Sequence, residues 1–302
     1  MKKIKKQKII LCGSTSKSLG EELSKALKIP AVFINLVRFP DGEIKPVVPV
    51  ALLQGKEIFY LSSTYAPAEN VLEFLFTIDT LKRMKPKPKV NVFVAWFGYS
   101  RQDKVDIPGA PLSAHYLISK IPNDFKLTIV DFHNPKVFPR VKNIIPYKLF
   151  GDFLLKKYKK LLGKAQAVAL DRKAWGKTKL LSSYLSLSYQ PAQIEKERDP
   201  YTGKVTPKEI KGELKGKTLI LFDDIVSGGS ILKEIFFLKE RIKAEIILAI
   251  THPCFFLNEK TNIEKVLREV KILLITNSIP APKKISSKIK TISLSSILRE
   301  II

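Results

Sequence analysis

Short apolar runs alternate with segments of helical spacing along the chain, and this pattern predicts the fold. In the first half the runs predicted to be strands are residues 9–12, 32–34, 58–62, 90–96 and 127–131. The helical patterns between them cover residues 19–27, 69–84 and 112–121. Almost uninterrupted apolar strands are typical of parallel sheets that are covered on both faces. The pattern therefore predicts an α/β domain with a mainly parallel sheet.

The same alternation starts again in the second half, which predicts a second domain of similar build. Its predicted strands are residues 165–170, 218–222, 246–250 and 272–276, and its predicted helices are 177–185, 231–243 and 263–270. We place the domains at 1–148 and 149–302, with the end of the chain packed on the first domain.

Composition and charge exclude several classes of protein. Of the 302 residues, 45% are hydrophobic and no apolar run approaches the roughly 20 residues that cross a bilayer, so we expect no membrane anchor and a cytoplasmic location. The formal net charge of +25 would favour polyanions. The lysines are spread along the chain without interleaved aromatic residues, so we expect no specific nucleic-acid partner. Cys12 and Cys254 lack the spacing of a zinc site.

The most informative segment is residues 217–233, KTLILFDDIVSGGSILK. An apolar strand pattern ends in Asp223 and Asp224 and passes through a Gly-Gly loop into a helix. Backbone N–H groups at such a turn suit a phosphate, and the acids suit sugar hydroxyls, directly or through Mg²⁺. The loop residues expected to take part are Ser227, Gly228, Gly229 and Ser230. The alternative is a tight turn whose serines only cap the helix.

Two motifs of the first half have the composition of a nucleotide site. Phe39 could stack on a base while Asp41 and Glu43 accept hydrogen bonds, although Pro-Asp-Gly is also an ordinary turn. The segment 96–104, WFGYSRQDK, leaves a predicted strand at its carboxyl end, where open α/β sheets bind ligands. Arg101 there offers a forked cation for phosphate oxygens, and a solvated run of charges is the alternative.

Two further segments carry candidate catalytic groups. His133 lies two residues after Asp131, on the same side if the strand continues, and could bind a metal or a triphosphate oxygen. Residues 195–203 are polar and are predicted to form a long loop between strands. Lys196 and Arg198 on such a lid could neutralise charge in a transition state. A surface loop without function is the alternative.

These motifs, in this order, resemble the ribose-phosphate pyrophosphokinase family, the synthetases of phosphoribosyl pyrophosphate (PRPP). The resemblance covers nearly the whole chain and implies two tandem phosphoribosyltransferase-type domains. It implies transfer of the β,γ-diphosphoryl group of MgATP to the C1 hydroxyl of ribose 5-phosphate, giving PRPP and AMP. It also implies a homodimer or larger homo-oligomer, with the site between the domains and beside a neighbouring subunit.

Carried over by position, the resemblance assigns the site residues. The adenosine contacts would be Phe39, Asp41 and Glu43, with Arg101 and Gln102 beside the nucleotide and Asp106 towards its phosphates. His133 would lie beside the nucleotide-bound Mg²⁺ and Asp171 would be a second metal contact. Lys196 and Arg198 match the pair that stabilises the transferring group. Asp223 and Asp224 match the ribose acids, and residues 227–230 match the 5-phosphate loop.

Two departures from the family pattern leave alternatives open. The loop DDIVSGGS is one residue shorter than the usual pattern and lacks its central threonine. Arg172, Lys173 and Trp175 follow Asp171 where the family has small residues. A catalytically silent homologue that regulates an active synthetase is therefore one alternative function. A phosphoribosyltransferase that consumes PRPP is another, because the Asp-Asp loop is shared with such enzymes.

Overall fold

The structure is a computed structural model that describes residues 7–198, 205–226, 230–257, 263–282 and 286–302. The chain divides into two compact units. The first unit comprises Met1–Ile145 and Leu294–Ile302, and the second comprises Pro146–Ser293.

The first unit is built on a parallel sheet of six strands. Its strands and helices are β1 Lys8–Cys12, α1 Lys17–Leu27, β2 Ala31–Phe33, β3 Asn35–Arg38, β4 Ile44–Val47, α2 Val50–Leu53, β5 Glu57–Ser62, α3 Glu69–Arg83, β6 Lys89–Val94, α4 Ser113–Ser119, β7 Lys126–Val130 and β8 Val141–Ile144. The strand order is β2-β1-β5-β6-β7-β8, and β3 and β4 form a separate antiparallel hairpin. Tyr60 and Phe74 stack between β5 and α3 with ring centroids 5.8 Å apart.

The second unit has a sheet of seven strands that is parallel except at one edge. Its elements are α5 Tyr147–Leu162, β9 Ala165–Ala169, α6 Trp175–Tyr184, β10 Ala192–Arg198, β11 Val205–Lys211, β12 Thr218–Ile225, α7 Ser230–Lys239, β13 Glu245–His252, α8 Ile263–Glu269, β14 Ile272–Thr276 and β15 Ile289–Ile292. The strand order is β11-β10-β9-β12-β13-β14-β15, and only β10 and β11 pair antiparallel among these described strands. Leu221 and Leu248, on neighbouring strands, are completely buried.

The predicted α/β class with mainly parallel sheets is confirmed, because the near-continuous apolar strands are buried on both faces. The last helix, α9 Ser295–Arg299, packs against α1 of the first unit, and its Leu298 is buried.

Two local predictions were wrong. β12 continues through both acids to Ile225, since Asp223 and Ile225 still pair with β13. Residues 195–198 are not a loop, because they continue β10 and pair with β11.

None of the helices in the described ranges has the length and hydrophobicity that crossing a bilayer requires.

Candidate active site

In the second unit, two adjacent acids lie on the last residues of a buried strand. β12 lies between β9 and β13, so its carboxyl end is near the middle of the sheet. Asp224 is buried, whereas 23% of the Asp223 side chain is exposed. The Asp223 Oδ1 atom accepts a hydrogen bond from the Asp224 backbone N–H at 2.9 Å. The sheet therefore fixes both predicted sugar-binding acids, and Asp223 is the one that is partly exposed.

A buried lysine, which the sequence did not single out, joins these two acids. Lys177 lies on α6, and its side chain is 10% exposed. Its Nζ atom lies 3.0 Å from Asp224 Oδ1 and 3.6 Å from Asp223 Oδ1. The same ammonium group lies 5.5 Å from the centroid of the Phe222 ring, within the range of a cation–π interaction.

The pKa of Asp223 is raised well above its ordinary value. Burial is the main cause, and the negative charge of Asp224 adds to it, whereas Lys177 acts in the opposite direction. The protonated form is therefore favoured in the fold more than in the unfolded chain.

This shift predicts a gain in stability when Asp223 is replaced by asparagine. When folding raises the pKa of a carboxyl, ionisation of that group destabilises the folded protein. This loss of stability begins as the pH rises above the pKa of the unfolded state, about 4. We expect Asp223→Asn to raise the free energy of unfolding at pH 7, because the neutral amide does not carry the cost of burying a charged carboxylate beside Asp224. Urea unfolding should show the difference shrinking towards pH 4. A variant that is less stable than the wild type at pH 7 would contradict this prediction.

Lys196, one of the two predicted catalytic cations, is also held by a carboxylate. Lys196 Nζ lies 2.5 Å from Glu234 Oε1, and this ion pair joins β10 to α7. The Glu234 side chain is only 6% exposed, and burial is the main reason that its pKa is raised. The negative charge of Asp171 also raises this pKa, whereas Lys196 lowers it. Lys196 is thus on a strand and ion-paired, not on the open lid that the sequence suggested. Arg198 is the last residue of β10, and residues 199–203 of the predicted loop lie outside the described residues.

Asp171 follows β9 by two residues, at the same edge of the sheet as the two acids of β12. Its Oδ1 atom accepts a hydrogen bond from the Ala174 backbone N–H at 2.8 Å, which fixes the turn before α6. The bulky Arg172 that follows is 83% exposed and lies 3.9 Å from Glu195. Arg172 therefore points to a partner on β10 and is not buried in the sugar site.

The predicted phosphate loop is largely outside the described residues. Ser227, Gly228 and Gly229 belong to the part of the chain left out, and Ser230 is the first residue of α7. The phosphate-binding prediction therefore still depends on the sequence.

In the first unit, the predicted base-binding residues lie on the tip of the β3–β4 hairpin. Phe39, Asp41 and Glu43 are all exposed. Asp41 Oδ1 accepts a hydrogen bond from the Glu43 backbone N–H at 3.0 Å, and Gly42 has the positive φ of 92° that such a turn requires. The hairpin thus presents one aromatic ring and two carboxylates to solvent.

The other two motifs of the first unit are brought together at the carboxyl ends of β6 and β7. The Phe97 and Phe132 rings meet edge to face, with centroids 5.6 Å apart. Asn134 Nδ2 donates a hydrogen bond to Asp103 Oδ2, so the segment after His133 is tied to the segment after Arg101. The two strands are parallel neighbours, which explains why their following loops meet.

Around this junction the candidate side chains differ in exposure. Arg101, Gln102 and Asp106 are exposed, and His133 is half-buried. Gln102 is held at both ends, since its side-chain oxygen accepts from Ser113 Oγ at 2.5 Å and its backbone oxygen accepts from the Ala114 N–H at 3.1 Å.

One premise about His133 was wrong. β7 ends at Val130, and Asp131 has a φ of 41°, in the left-handed region. The alternation of an extended strand therefore does not continue through Asp131 to His133.

The loop that carries Arg101 passes very close to the end of β5. A Cβ atom on Gly98 would lie 2.2 Å from the backbone oxygen of Thr64. The Gly98 N–H donates to Thr64 Oγ1 at 2.7 Å. A side chain at this position is excluded, so glycine is required for the loop to lie where it does.

Sequence reasoning missed Lys177 and Glu234, the residues that pair with the predicted acids and cation. A signal for Lys177 was present, because it lies four residues before the buried Leu181 and so on the inner face of α6. Glu234 lies likewise between Ile231 and Ile235, both buried, near the inner face of α7. A charged residue on an inner helix face indicates a buried partner.

Comparisons with known proteins agree with this architecture. Residues 8–123 match the model of the N-terminal domain of ribose phosphate pyrophosphokinase, and residues 179–302 match the phosphoribosyl synthetase-associated domain. The chain is 33% identical over 279 residues to a ribose-phosphate pyrophosphokinase of Pyrococcus abyssi, covering 90% of this chain and 92% of that protein. It is also 33% identical over 283 residues to that of Thermococcus kodakarensis, covering 91% and 95%.

A solved structure confirms the fold. The phosphoribosylpyrophosphate synthetase from Mycobacterium smegmatis superposes with a TM-score of 0.83 at 23% identity, over 98% of this chain and 97% of that one. The predicted pair of phosphoribosyltransferase-type domains is thereby confirmed. From the sequence matches over nearly its whole length, the chain belongs to the ribose-phosphate pyrophosphokinase family.

Proposed function

We propose that the protein transfers the β,γ-diphosphoryl group of MgATP to the C1 hydroxyl of ribose 5-phosphate, giving PRPP and AMP. Membership of the family supports the reaction class. The observation that carries the proposal is the cluster of acids and lysines at the carboxyl edge of β9, β10 and β12. Diphosphoryl transfer needs positioning and neutralisation of charge more than a protein nucleophile, and this cluster supplies both.

We assign the sugar phosphate to the second unit. Asp223 and Asp224 are fixed on β12 and can accept hydrogen bonds from the sugar hydroxyls. The 5-phosphate is assigned to Ser227, Gly228, Gly229 and Ser230, because their sequence suits backbone N–H donation at the start of a helix.

We assign the nucleotide to the first unit. Phe39 would stack on the adenine, while Asp41 and Glu43 accept hydrogen bonds from adenosine. Their exposure on the hairpin tip leaves room for such a ligand. Arg101, Gln102 and Asp106 would lie along the nucleotide, and the constraints on Gln102 hold that segment in place. His133 lies on the adjoining loop, next to the Asn134 that is tied to Asp103.

The chemistry then follows from the reacting atoms. The C1 oxygen of the sugar attacks the β-phosphorus, the bond from that phosphorus to the oxygen bridging the α- and β-phosphates breaks, and AMP leaves. The hydroxyl proton passes to water as the new bond forms. Lys196 and Arg198, both on β10, would stabilise the charge on the transferring group. For Lys196 this requires release from Glu234.

The residues present fit a Mg²⁺ ion that enters with the triphosphate. Mg²⁺ is usually held by one or two carboxylates together with substrate phosphates and water. Asp171, whose carboxylate also fixes the turn before α6, would supply a carboxylate oxygen to such an ion. An imidazole is a poorer ligand for Mg²⁺ than an oxygen, so we assign His133 to a metal-bound water or phosphate oxygen. When bound, the ion would reduce the negative charge of the triphosphate.

The direct test is whether AMP is released from ATP only when ribose 5-phosphate is present. We expect AMP and PRPP in equal amounts, detected by separating the nucleotides and by ³¹P nuclear magnetic resonance. Release of pyrophosphate from PRPP with a nucleobase would favour a phosphoribosyltransferase. Absence of AMP over a range of Mg²⁺ and phosphate concentrations, with ligand binding intact, would favour the silent regulatory homologue.

We also propose that the protein forms a homodimer or larger homo-oligomer. An apolar groove of about 630 Å³ lies between α3 and α4 and includes Leu72, Leu75, Leu112 and Tyr116. Tyr116 is 59% exposed, and exposed apolar patches of this kind are typical of interfaces. Light scattering from the purified protein measures the size of the assembly.

A further inference from the structure

Lys177 occupies an unusual position for a lysine. It lies on the inner face of α6 with 10% of its side chain exposed, and its ammonium group reaches both acids of β12. Lysine is rarely buried without a partner, since removing its charge from water is costly unless a carboxylate compensates. Here two carboxylates and the face of Phe222 surround the charge.

The position of Lys177 bears on how the acids can bind a ligand. Adjacent carboxylates on one strand end are the oxygen ligands that a divalent cation prefers. A Mg²⁺ ion lies about 2.1 Å from its ligand oxygens, so an ion on Asp224 Oδ1 would stand no more than about 5 Å from the Lys177 nitrogen. Repulsion between the two cations at that distance disfavours such an ion.

The same geometry leaves the acids able to bind hydroxyls. The contacts described for Asp223, from the Asp224 N–H and from Lys177, both end on Oδ1. Part of the Asp223 side chain is exposed, so a hydroxyl can reach this carboxylate from solvent. A hydroxyl donates a hydrogen bond to a carboxylate without needing a metal between them.

We propose that Lys177 is the built-in counter-ion of Asp223 and Asp224, in the place of a divalent cation, so that this pair binds the sugar hydroxyls directly and without metal. The inference rests on the proposed function in taking ribose 5-phosphate as the sugar ligand. It makes Lys177 a positioning residue that acts through the two acids. Metal then enters the reaction with the triphosphate and not with the sugar.

The first experiment measures binding of ribose 5-phosphate to the full-length protein by calorimetry, in EDTA and in Mg²⁺. We expect dissociation constants within about twofold of each other. We expect Lys177→Gln to weaken binding in EDTA at least tenfold and Lys177→Arg to restore most of it. The matched control is Lys179→Gln, which removes an exposed lysine of the same helix and should change nothing. Wild-type binding that is lost in EDTA would overturn the inference.

The second experiment needs no substrate and therefore separates this inference from the proposed function. Mn²⁺ binding without nucleotide is followed by electron paramagnetic resonance. We expect the wild type and Asp224→Asn to bind Mn²⁺ equally. We expect Lys177→Gln to bind one additional Mn²⁺ ion, and the double variant Lys177→Gln with Asp224→Asn to lack that additional site. A wild-type site that Asp224→Asn abolishes, or no gain in a folded Lys177→Gln protein, would contradict the inference. If ribose 5-phosphate fails to bind under any condition, the proposed function fails while the Mn²⁺ result still decides the role of Lys177.

Discussion

Replacing Lys196 by alanine is expected to lower the rate of PRPP formation about a thousandfold, with little change in the affinity for ribose 5-phosphate. Removal of one preorganised donor to a transition state commonly costs about 10²–10³ in rate, and loss of a cation at a transferring phosphoryl group can cost more. In the structure Lys196 is held by Glu234, so its charge is available to a substrate only after that pair opens. Single-turnover measurement of AMP release with saturating substrates tests this directly.

Two controls separate catalysis from stability in that experiment. Lys196→Ala leaves Glu234 buried without its partner, so the double variant with Glu234→Gln should recover stability but not turnover. Lys208→Ala removes an exposed lysine from the neighbouring β11 and should leave the rate unchanged. A rate in Lys196→Ala within about tenfold of the wild type would contradict the assigned role. A wild type that is itself inactive would favour the regulatory alternative.

Gly98→Ala is expected to weaken nucleotide binding at least tenfold and to lower the free energy of unfolding by about 1–3 kcal/mol, the usual cost of overpacking. The added Cβ would lie 2.2 Å from the Thr64 backbone oxygen, so either the end of β5 or the loop that carries Arg101 must move. Calorimetry with a non-hydrolysable ATP analogue measures the affinity, and urea unfolding measures the stability.

The matched control for this variant is Gly163→Ala. Gly163 lies in the second unit, and a Cβ added to it would have no heavy atom within 4 Å apart from those of its own chain neighbours. We expect neither affinity nor stability to fall in that control. Gly98→Ala with lower stability but unchanged nucleotide affinity would show that the Arg101 loop does not contact the nucleotide.

The sequence predicted the fold well where the hydrophobic pattern is set by burial on both faces of a sheet. β5, β12 and β14 are such strands, and their apolar runs identified them. It failed where a strand is polar. β10 pairs with β9 only through Ala192 and Gln193, and its remaining residues pair with the edge strand β11. Residues 195–198 therefore extend beyond the buried part of the sheet and carry charged side chains, so they were interpreted as a loop.

For the candidate site, the sequence named several residues that the structure places at one sheet edge, but it did not predict their pairings. The order of motifs identified the family, and the structure places Asp171, Lys196 and the two β12 acids at one edge of the sheet. The partners Lys177 and Glu234 were missed because their contacts join residues 47 and 38 positions apart in the chain, across different elements. Spacing along a sequence carries no information about such pairs until the topology is known.

The return of α9 to the first unit has a consequence for synthesis on the ribosome. Leu298 is buried against that unit, yet it is translated after the whole of the second unit. A nascent chain therefore cannot complete its first unit before the second has emerged. Protein quality control that acts during synthesis would therefore act on an incomplete amino-terminal unit. A premature stop codon that removes α9 would leave the surface beneath this helix exposed in the finished chain.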